Sequence, residues 1–549
     1  MASPSLPEVY ENLCHNLYDG QTRRLLTRAL ELVETTISNG ENLLLFLEAP
    51  TGYGKSILSL TLYTAICQGR YDIASRIIHV LPMRSIGTDM KERMIKNVAA
   101  LSNSLPVKTH DIGLQQMHSP GSPMLLKKFV ITTLDTFISS FYKIPASEIT
   151  KLKRYGTSHF EIPRAAIYTS IVVFDELHLY IGSRPLDSGR SKAFTAVMAC
   201  IKSLLSAGVP VIVSTATLPK VIKEIMVSEL KLSGLSQIIK EITPTDSDRD
   251  FLKRKITVET ITEDIIEKIC SEARQGRTLV ILNTVRKAVE TYEALKQRLD
   301  RVVLLHSRLI ECAKSERLKL LSGSEPLVLV ATQVVEAGVD VSFRTLITEA
   351  APPDSILQRA GRVARKGGEG WVYVFPLSKE ASEIYNEKIV NTLYNRLEDE
   401  HVLDHRIINV YDEYFELKQI DLMDNVYRNI LRDIDLYPSY SVNFAEKVWN
   451  AVCGFVREGE QITIIPRRYL ELVKNHAVRF SDYVFCVDDK IFERMMEKGM
   501  FKYALYEDMT DGDFKLHGGG CLSNQLFKKG IIAFVLEDEQ YSEEVGFAG

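Results

Sequence analysis

The octapeptide Ala49-Pro50-Thr51-Gly52-Tyr53-Gly54-Lys55-Ser56 concentrates residue types that bind phosphate. Its glycines let the backbone turn tightly and aim N–H groups at an anion. Lys55 offers a cation to β- and γ-phosphates, and the Ser56 hydroxyl offers Mg²⁺ a ligand. Ala49 stands where the commoner pattern has its first glycine. A second group is Asp175-Glu176-Leu177-His178. There Asp175 suits the Mg²⁺ shell, and Glu176 is placed to orient or deprotonate an attacking water. A third is Gln358-Arg359-Ala360-Gly361-Arg362-Val363-Ala364-Arg365. Arg362 and Arg365, three apart, would share one helix face, and two guanidinium groups suit the spread charge of a transferring phosphoryl group. Each piece has a plainer reading, as a loop, a helix N-cap or a solvated basic face. Their co-occurrence favours nucleotide chemistry.

Such groups need elements to carry them. The apolar run 43–47 reads as a strand feeding the glycine loop, and 57–67 as the helix that follows it. The run 171–174 delivers Asp175 and Glu176 to a strand C-terminus, the end that faces the ligand crevice in a parallel sheet. Further strand candidates are 76–81, 129–132 and 209–214, then a second series at 278–282, 301–306, 327–331, 345–349 and 371–375. Helical stretches alternate with them, which predicts parallel sheets with crossover helices. Between the series, 243–255 is polar, rich in Asp, Thr and Arg and contains Pro244, as a linker between two similar α/β domains would be. From about Ser378 the chain reads as acidic and mostly helical to Asp435, and the last hundred residues as short strands and helices.

The 549 residues are 45% hydrophobic and 25% charged, which excludes a mainly disordered or fibrous chain. No apolar run approaches the ~18–20 residues of a membrane helix, and no basic-then-apolar leader opens the chain, so a soluble cytoplasmic protein with no membrane partner is expected. The eight cysteines, scattered without a C-x-x-C pair, read as reduced packing residues. The net charge of −4 divides unevenly. Residues 401–549 carry 17 Lys+Arg against 26 Asp+Glu, which leaves the first 400 at +5, so a basic groove for nucleic acid is not excluded.

With these residues in view, the chain resembles the superfamily 2 helicases. Ala49–Ser56 is similar to their A-x-T-G-x-G-K-[ST] loop, and Asp175-Glu176-Leu177-His178 to their DExH box. Ser214-Thr215-Ala216-Thr217-Leu218-Pro219 is similar to motif III, Thr332-Gln333-Val334-Val335-Glu336-Ala337-Gly338-Val339-Asp340 to motif V, and 358–365 to motif VI, all in the family's order. His79-Val80-Leu81-Pro82-Met83-Arg84 resembles motif Ia. Asn283-Thr284-Val285 and Leu305-His306-Ser307-Arg308 resemble second-domain motifs of the CRISPR-associated type I helicase, the motor recruited by the Cascade surveillance complex in antiviral defence.

The resemblance implies an α/β fold of two tandem RecA-like P-loop NTPase domains, 1–243 and 244–377, followed by a mixed, largely helical region at 378–549. It implies ATP and Mg²⁺ as cofactors, with Gln21 on adenine, Gln358 at the γ-phosphate, and Gly338 and Asp340 near the nucleotide. Thr215 and Thr217 would couple nucleotide state to domain movement. Arg84, Thr133, Asn283, His306, Arg308 and Thr332 would line the path of a single strand, mostly on phosphates. The expected activity is an ATP-dependent helicase or translocase on single-stranded DNA, working with a Cascade-like guide-RNA complex. Fewer than fifty residues precede the loop, too few for the HD nuclease that many such helicases carry, and His110-Asp111 lies between first-domain motifs. A helicase-only form with a separate HD-type nuclease subunit is therefore expected. The alternatives are a DExH RNA helicase, a DNA-repair motor outside CRISPR, or a nucleotide-switched scaffold that recruits a nuclease.

Overall fold

Five consecutive large apolar side chains at 43–47 can be satisfied only by burial on both faces, and they build the centre of a parallel sheet. The computed structural model describes residues 3–549 apart from 51, 83, 117–118, 146–147, 149–154, 156–157, 178–190, 217, 236–237, 250–253, 322, 324, 337–340, 366, 417–422, 437–441, 457–459 and 517–520. It divides into two units, Met1–Lys253 with Asp404–Phe444, and Arg254–Leu403 with Ala445–Gly549.

The first unit holds β1 (Leu44–Glu48), β2 (Arg76–Leu81), β3 (Ile112–Gln116), β4 (Ser119–Pro120), β5 (Phe129–Thr133), β6 (Ser170–Asp175), β7 (Val211–Thr215) and β8 (Ile239–Ile242). Their order is β4-β3-β5-β2-β6-β7-β1-β8, parallel throughout except for the β3–β4 hairpin. The helix Lys55–Cys67 begins at Gly54 and is buried on all sides from Ile57 to Ile66, which marks it as a core helix. Ser5 and Glu8 form a reciprocal capping box on the helix Leu6–Leu17, which packs against Lys55–Cys67. Residues from the acidic stretch complete this unit: the helix Asn425–Leu436 packs on Lys192–Ser206, and Asn409–Glu416 on Lys220–Leu232.

The second unit holds β9 (Arg254–Thr260), β10 (Thr278–Ile281), β11 (Val302–Leu305), β12 (Val328–Ala331), β13 (Thr345–Glu349) and β14 (Gly368–Phe375), all parallel in the order β11-β12-β10-β13-β14-β9. A smaller mixed sheet follows, β15 (Gln461–Pro466), β16 (Phe485–Asp488), β17 (Phe501–Tyr506), β18 (Asp511–Gly512) and β19 (Ile531–Leu536), in the order β16-β15-β19-β17-β18. The region 378–549 is thus shared between the two units. The stretch read as a linker carries a short helix, Asp246–Arg249, that belongs to the first.

Cysteine usage departs from expectation. Cys453 and Cys521, 68 residues apart, are joined, with Sγ atoms 2.50 Å apart. Their wide spacing hid the pairing, which only the meeting of a helix end and a helix start creates. Cys14, Cys200 and Cys270 are free and buried. No helix among the described residues is long and apolar enough to cross a membrane.

Candidate active site

The glycine loop leaves β1 at the carboxyl edge of the first sheet. Gly52 (φ +83°) and Gly54 (φ +86°) both adopt the left-handed conformation that glycine permits without steric cost. A Cβ on Gly54 would lie 2.8 Å from Arg23 Nη1 and 3.0 Å from Ile57 Cδ1. The loop is braced from behind by residues outside every motif. Arg23 donates to the Gly52 carbonyl (3.1 Å) and sits over the Tyr53 ring. The Tyr53 hydroxyl donates to Asp248 Oδ1 (2.6 Å) and accepts from the Leu25 N–H (3.3 Å). Burial, reinforced by Asp248, pushes the Tyr53 phenol up to about 12. Ala49 is buried and donates to the Thr215 carbonyl, while the Pro50 carbonyl accepts from Tyr53. Lys55 and Ser56 open the helix, whose N-terminal amides favour an anion. Gln21 is exposed, two residues before Arg23. Thr51 lies outside the described residues.

The acidic pair arrives from β6, separated from β1 by β7, so the end of β7 stands between loop and acids. Glu176 adopts φ +48°, a conformation that costs a non-glycine residue roughly 1–2 kcal/mol and recurs at functional sites. Its own N–H donates to Ser214 O (2.7 Å). Its Oε2 accepts from the Ala216 N–H (3.0 Å) and the Thr215 hydroxyl (3.2 Å), and its Oε1 pairs with the Lys55 ammonium. The motif III segment therefore orients the carboxylate directly. Thr217 and His178 lie outside the described residues.

Asp175 Oδ2 faces His79 Nε2 at 3.5 Å, and its Oδ1 is buried with no hydrogen-bond partner among the described residues. Burial raises the carboxyl, but His79 and the Lys55 charge outweigh it and hold it below the usual carboxylate range. An ionised carboxylate with an unspent buried oxygen, together with the Ser56 hydroxyl, is the hard-oxygen donor chemistry that Mg²⁺ takes. The residues present fit the cation.

The second unit carries the remaining candidates. Gln358 and Arg359 lie on the helix Pro353–Ala360, but the chain leaves the helix before Arg362. Arg362 and Arg365 consequently do not share a helix face. Val363 forms a β-bridge with Phe343, flanked by bonds from Phe343 N to Arg362 O and from Ala364 N to Phe343 O, and Ala364 takes φ +46°. Arg362 donates to the Glu336 carbonyl (2.6 Å) and the Arg365 N–H to Ser342 Oγ (3.0 Å). Gln358 and Arg362 are buried. Gly338 and Asp340 lie outside the described residues.

Several residues expected along a strand path are engaged internally. Asn283 is buried, donating through Nδ2 to the Ala350 carbonyl and accepting from Arg359 at Oδ1. Thr332 is buried, and the buried Thr133 donates to Thr136 Oγ1 (3.1 Å) where β5 ends. His306 is fully buried. Its Nε2 donates to the Val545 carbonyl (2.9 Å) and burial drives it down to about 3. Arg308 donates to the Ala548 carbonyl and lies over the Phe547 ring. The C-terminal strap thus covers both of these residues, a long-range pairing that motif spacing does not encode. The Arg84 side chain lies outside the described ones.

Other determinants escaped the sequence reading. Arg359 is completely buried, bonded to Glu336 Oε1 (2.7 Å), Thr348 Oγ1, Glu349 O and Asn283 Oδ1. Burial pushes the Glu336 carboxyl up even against the pull of Arg359. Arg359 could have been suspected from its place in motif VI. Tyr53 and Asp248, 195 residues apart, offered no local signal.

Comparison with known proteins matches residues 29–225 to the DEAD/DEAH box helicase family and 274–368 to the C-terminal family of CRISPR-associated nuclease/helicase Cas3. The putative CRISPR-associated nuclease/helicase Cas3 of Methanocaldococcus jannaschii is 24% identical over 519 residues, covering 85% of this chain and 66% of the relative. The CRISPR-associated helicase Cas3 of Thermoproteus tenax is 28% identical over 391 residues, covering 68% and 62%. The chain therefore spans no more than 66% of either relative's length. The crystal structure of T. fusca Cas3 with ATP shares the fold, with a TM-score of 0.60 at 17% identity over 85% of this chain and 61% of that one.

Proposed function

We propose that the chain is a Cas3-type helicase of superfamily 2 and an ATP-driven motor on single-stranded DNA, a reading that its similarity to Cas3 helicases supports. The observation that carries this reading is the convergence, at one sheet edge, of the left-handed glycine loop, Lys55 and a Glu176 held by Thr215 and Ala216. Lys55 pairs with Glu176. Arriving phosphates offer the ammonium a stronger partner, which frees Glu176 Oε1 to hold and deprotonate the attacking water. Thr215 and Ala216 keep Oε2 fixed while this happens, so movement at motif III is felt at the base. Mg²⁺ bound with ATP would neutralise charge on the β- and γ-phosphate oxygens, held by Ser56 and Asp175.

We assign Arg362 and Arg365 to the transferring phosphoryl group on guanidinium chemistry and motif order, with Gln358 beside them. Gln21, Gly338 and Asp340 are assigned to the nucleotide, and Arg84 to the strand, from the family resemblance. Phosphate contacts need not read sequence, so target choice would belong to a Cascade-like guide-RNA complex in the cytoplasm, and strand cutting to an HD-type nuclease partner.

The test is steady-state ATPase of the purified chain, alone and with single-stranded DNA, single-stranded RNA or duplex. Strong stimulation by single-stranded DNA that is lost in Lys55→Ala supports the motor. Stimulation by RNA alone points to an RNA helicase, and no turnover with any of them to a nucleotide-switched scaffold.

A further inference from the structure

His79 is the one ionisable side chain in the apolar interior of β2, and its ring is 1% exposed. Strand register explains where the ring lies. His79 is paired with Val173 on β6, and residues i and i+2 of a strand share a face, so His79 stands on the face that carries Asp175. On the other side, Ser59 is fully buried one helical turn after Lys55 on the loop-bearing helix. Ser59 Oγ lies 2.8 Å from His79 Nδ1, and His79 Nε2 lies 3.5 Å from Asp175 Oδ2.

The three side chains form a line from the phosphate-loop helix, through the imidazole, to the acid of β6. Chemistry selects the tautomer. A carboxylate accepts, so Nε2 carries the proton and Nδ1 accepts from the Ser59 hydroxyl. At 3.5 Å the last link is long, and among the described residues Nε2 has no other hydrogen-bond partner and Asp175 Oδ1 has none. Two buried polar atoms, one on each side of the same gap, form a network that is incomplete as it stands. A core histidine serving packing alone would be satisfied at both nitrogens.

We propose that His79 is a positioning residue for the cation site, holding Asp175 Oδ2 through Nε2–H so that Oδ1 is presented to the Mg²⁺ that accompanies the nucleotide. Ser59 fixes the ring, so the same helix that presents Lys55 and Ser56 to phosphate also sets the orientation of the acid on β6. Groups that orient a metal-binding carboxylate typically change metal affinity about 10–100-fold when removed. The inference rests on the ATP-site reading above.

The experiment measures Mn²⁺ affinity by electron paramagnetic resonance for the full chain saturated with a non-hydrolysable ATP analogue, alongside analogue binding in EDTA. His79→Ala should weaken Mn²⁺ about tenfold and leave the EDTA value unchanged. Ser59→Ala should weaken it less. His79→Gln, whose amide nitrogen reaches near the Nε2 position, should recover most of the loss. Unchanged Mn²⁺ affinity in folded His79→Ala, or a Gln variant as weak as Ala, overturns the proposal and leaves the ring a packing group. If His79→Ala fails to fold, Ser59→Ala and His79→Gln decide in its place: parent-like Mn²⁺ affinity in the Ser variant overturns the proposal. If the parent chain binds the analogue but no Mn²⁺, the cation assignment falls and the His79 proposal with it. A parent that binds no analogue overturns the ATP-site reading as well.

Discussion

Replacing Glu176 by Gln changes almost no volume but alters three interactions at once. The carboxylate accepts from Lys55, Thr215 and the Ala216 N–H on two oxygens. Glutamine has a single carbonyl oxygen. If that oxygen keeps the Ala216 and Thr215 bonds, the amide NH₂ confronts the Lys55 ammonium, donor against donor. The lost ion pair is partly exposed, with side chains 11% and 17% accessible, so the stability cost should be modest, about 1–3 kcal/mol. That corresponds to a fall in Tm of several degrees for a unit of this size. Nucleotide affinity should hold or rise, because Lys55 loses its competing partner. Turnover should collapse, since removal of a positioned general base typically costs about 10²–10⁴-fold, or roughly 2.7–5.4 kcal/mol of barrier. The assay is single-stranded-DNA-stimulated ATPase with kcat and KM determined separately, beside fluorescent ATP-analogue binding and a thermal melt. Loss of kcat with unchanged or lower KM is expected. A folded Glu176→Gln protein with kcat within about threefold of the parent would falsify the assignment of this carboxylate as the base.

Three further outcomes follow from the same geometry. Gly54→Ala forces a Cβ to within 2.8 Å of Arg23 and into a left-handed conformation, so nucleotide affinity should fall with the overall fold retained, as read by analogue titration and circular dichroism. Arg359→Ala leaves Glu336 buried and unpaired, which should destabilise the second unit by about 3–5 kcal/mol, visible as an early transition in calorimetry. His306 is held neutral in the folded state with its pKa lowered from 6.5 to about 3. The unfolded chain therefore binds the extra proton first, and stability should fall as pH drops from about 6.5 toward 3, by up to about 1.4 kcal/mol per pH unit; His306→Gln should flatten that slope in chemical denaturation.

The phosphate loop, the acids after the 171–174 strand and the alternation of strands with helices were legible because each is a local pattern. An apolar run must be buried, a glycine pair must turn, and a strand-to-helix turn presents its amides wherever it occurs. Ten strand candidates drawn from such runs coincide with strands of the two parallel sheets. The strands β3, β4, β8 and β9 were missed: β4 is only two residues long, and β8 and β9 are edge strands with polar positions facing outward. Arg362 and Arg365 show the limit of helical spacing as an argument, since a β-bridge to Phe343 outcompetes continuation of the helix. His306 and Arg308 show a different limit: their residue types suit phosphate, but partners more than 200 residues away cover them.

The sequence by itself determined the chemistry, because residue types at fixed local spacing carry their donors, acceptors and charges wherever they are placed. It also determined the α/β architecture, because hydrophobic periodicity is a local property. Only the tertiary structure decided which of those groups are spent. Tyr53 is tied to Asp248, Glu176 to Thr215 and Ala216, and His79 is set between Ser59 and Asp175. These partners lie on different strands and helices, and sheet order rather than sequence distance brings them together. A buried polar atom must find its partner wherever the fold supplies one.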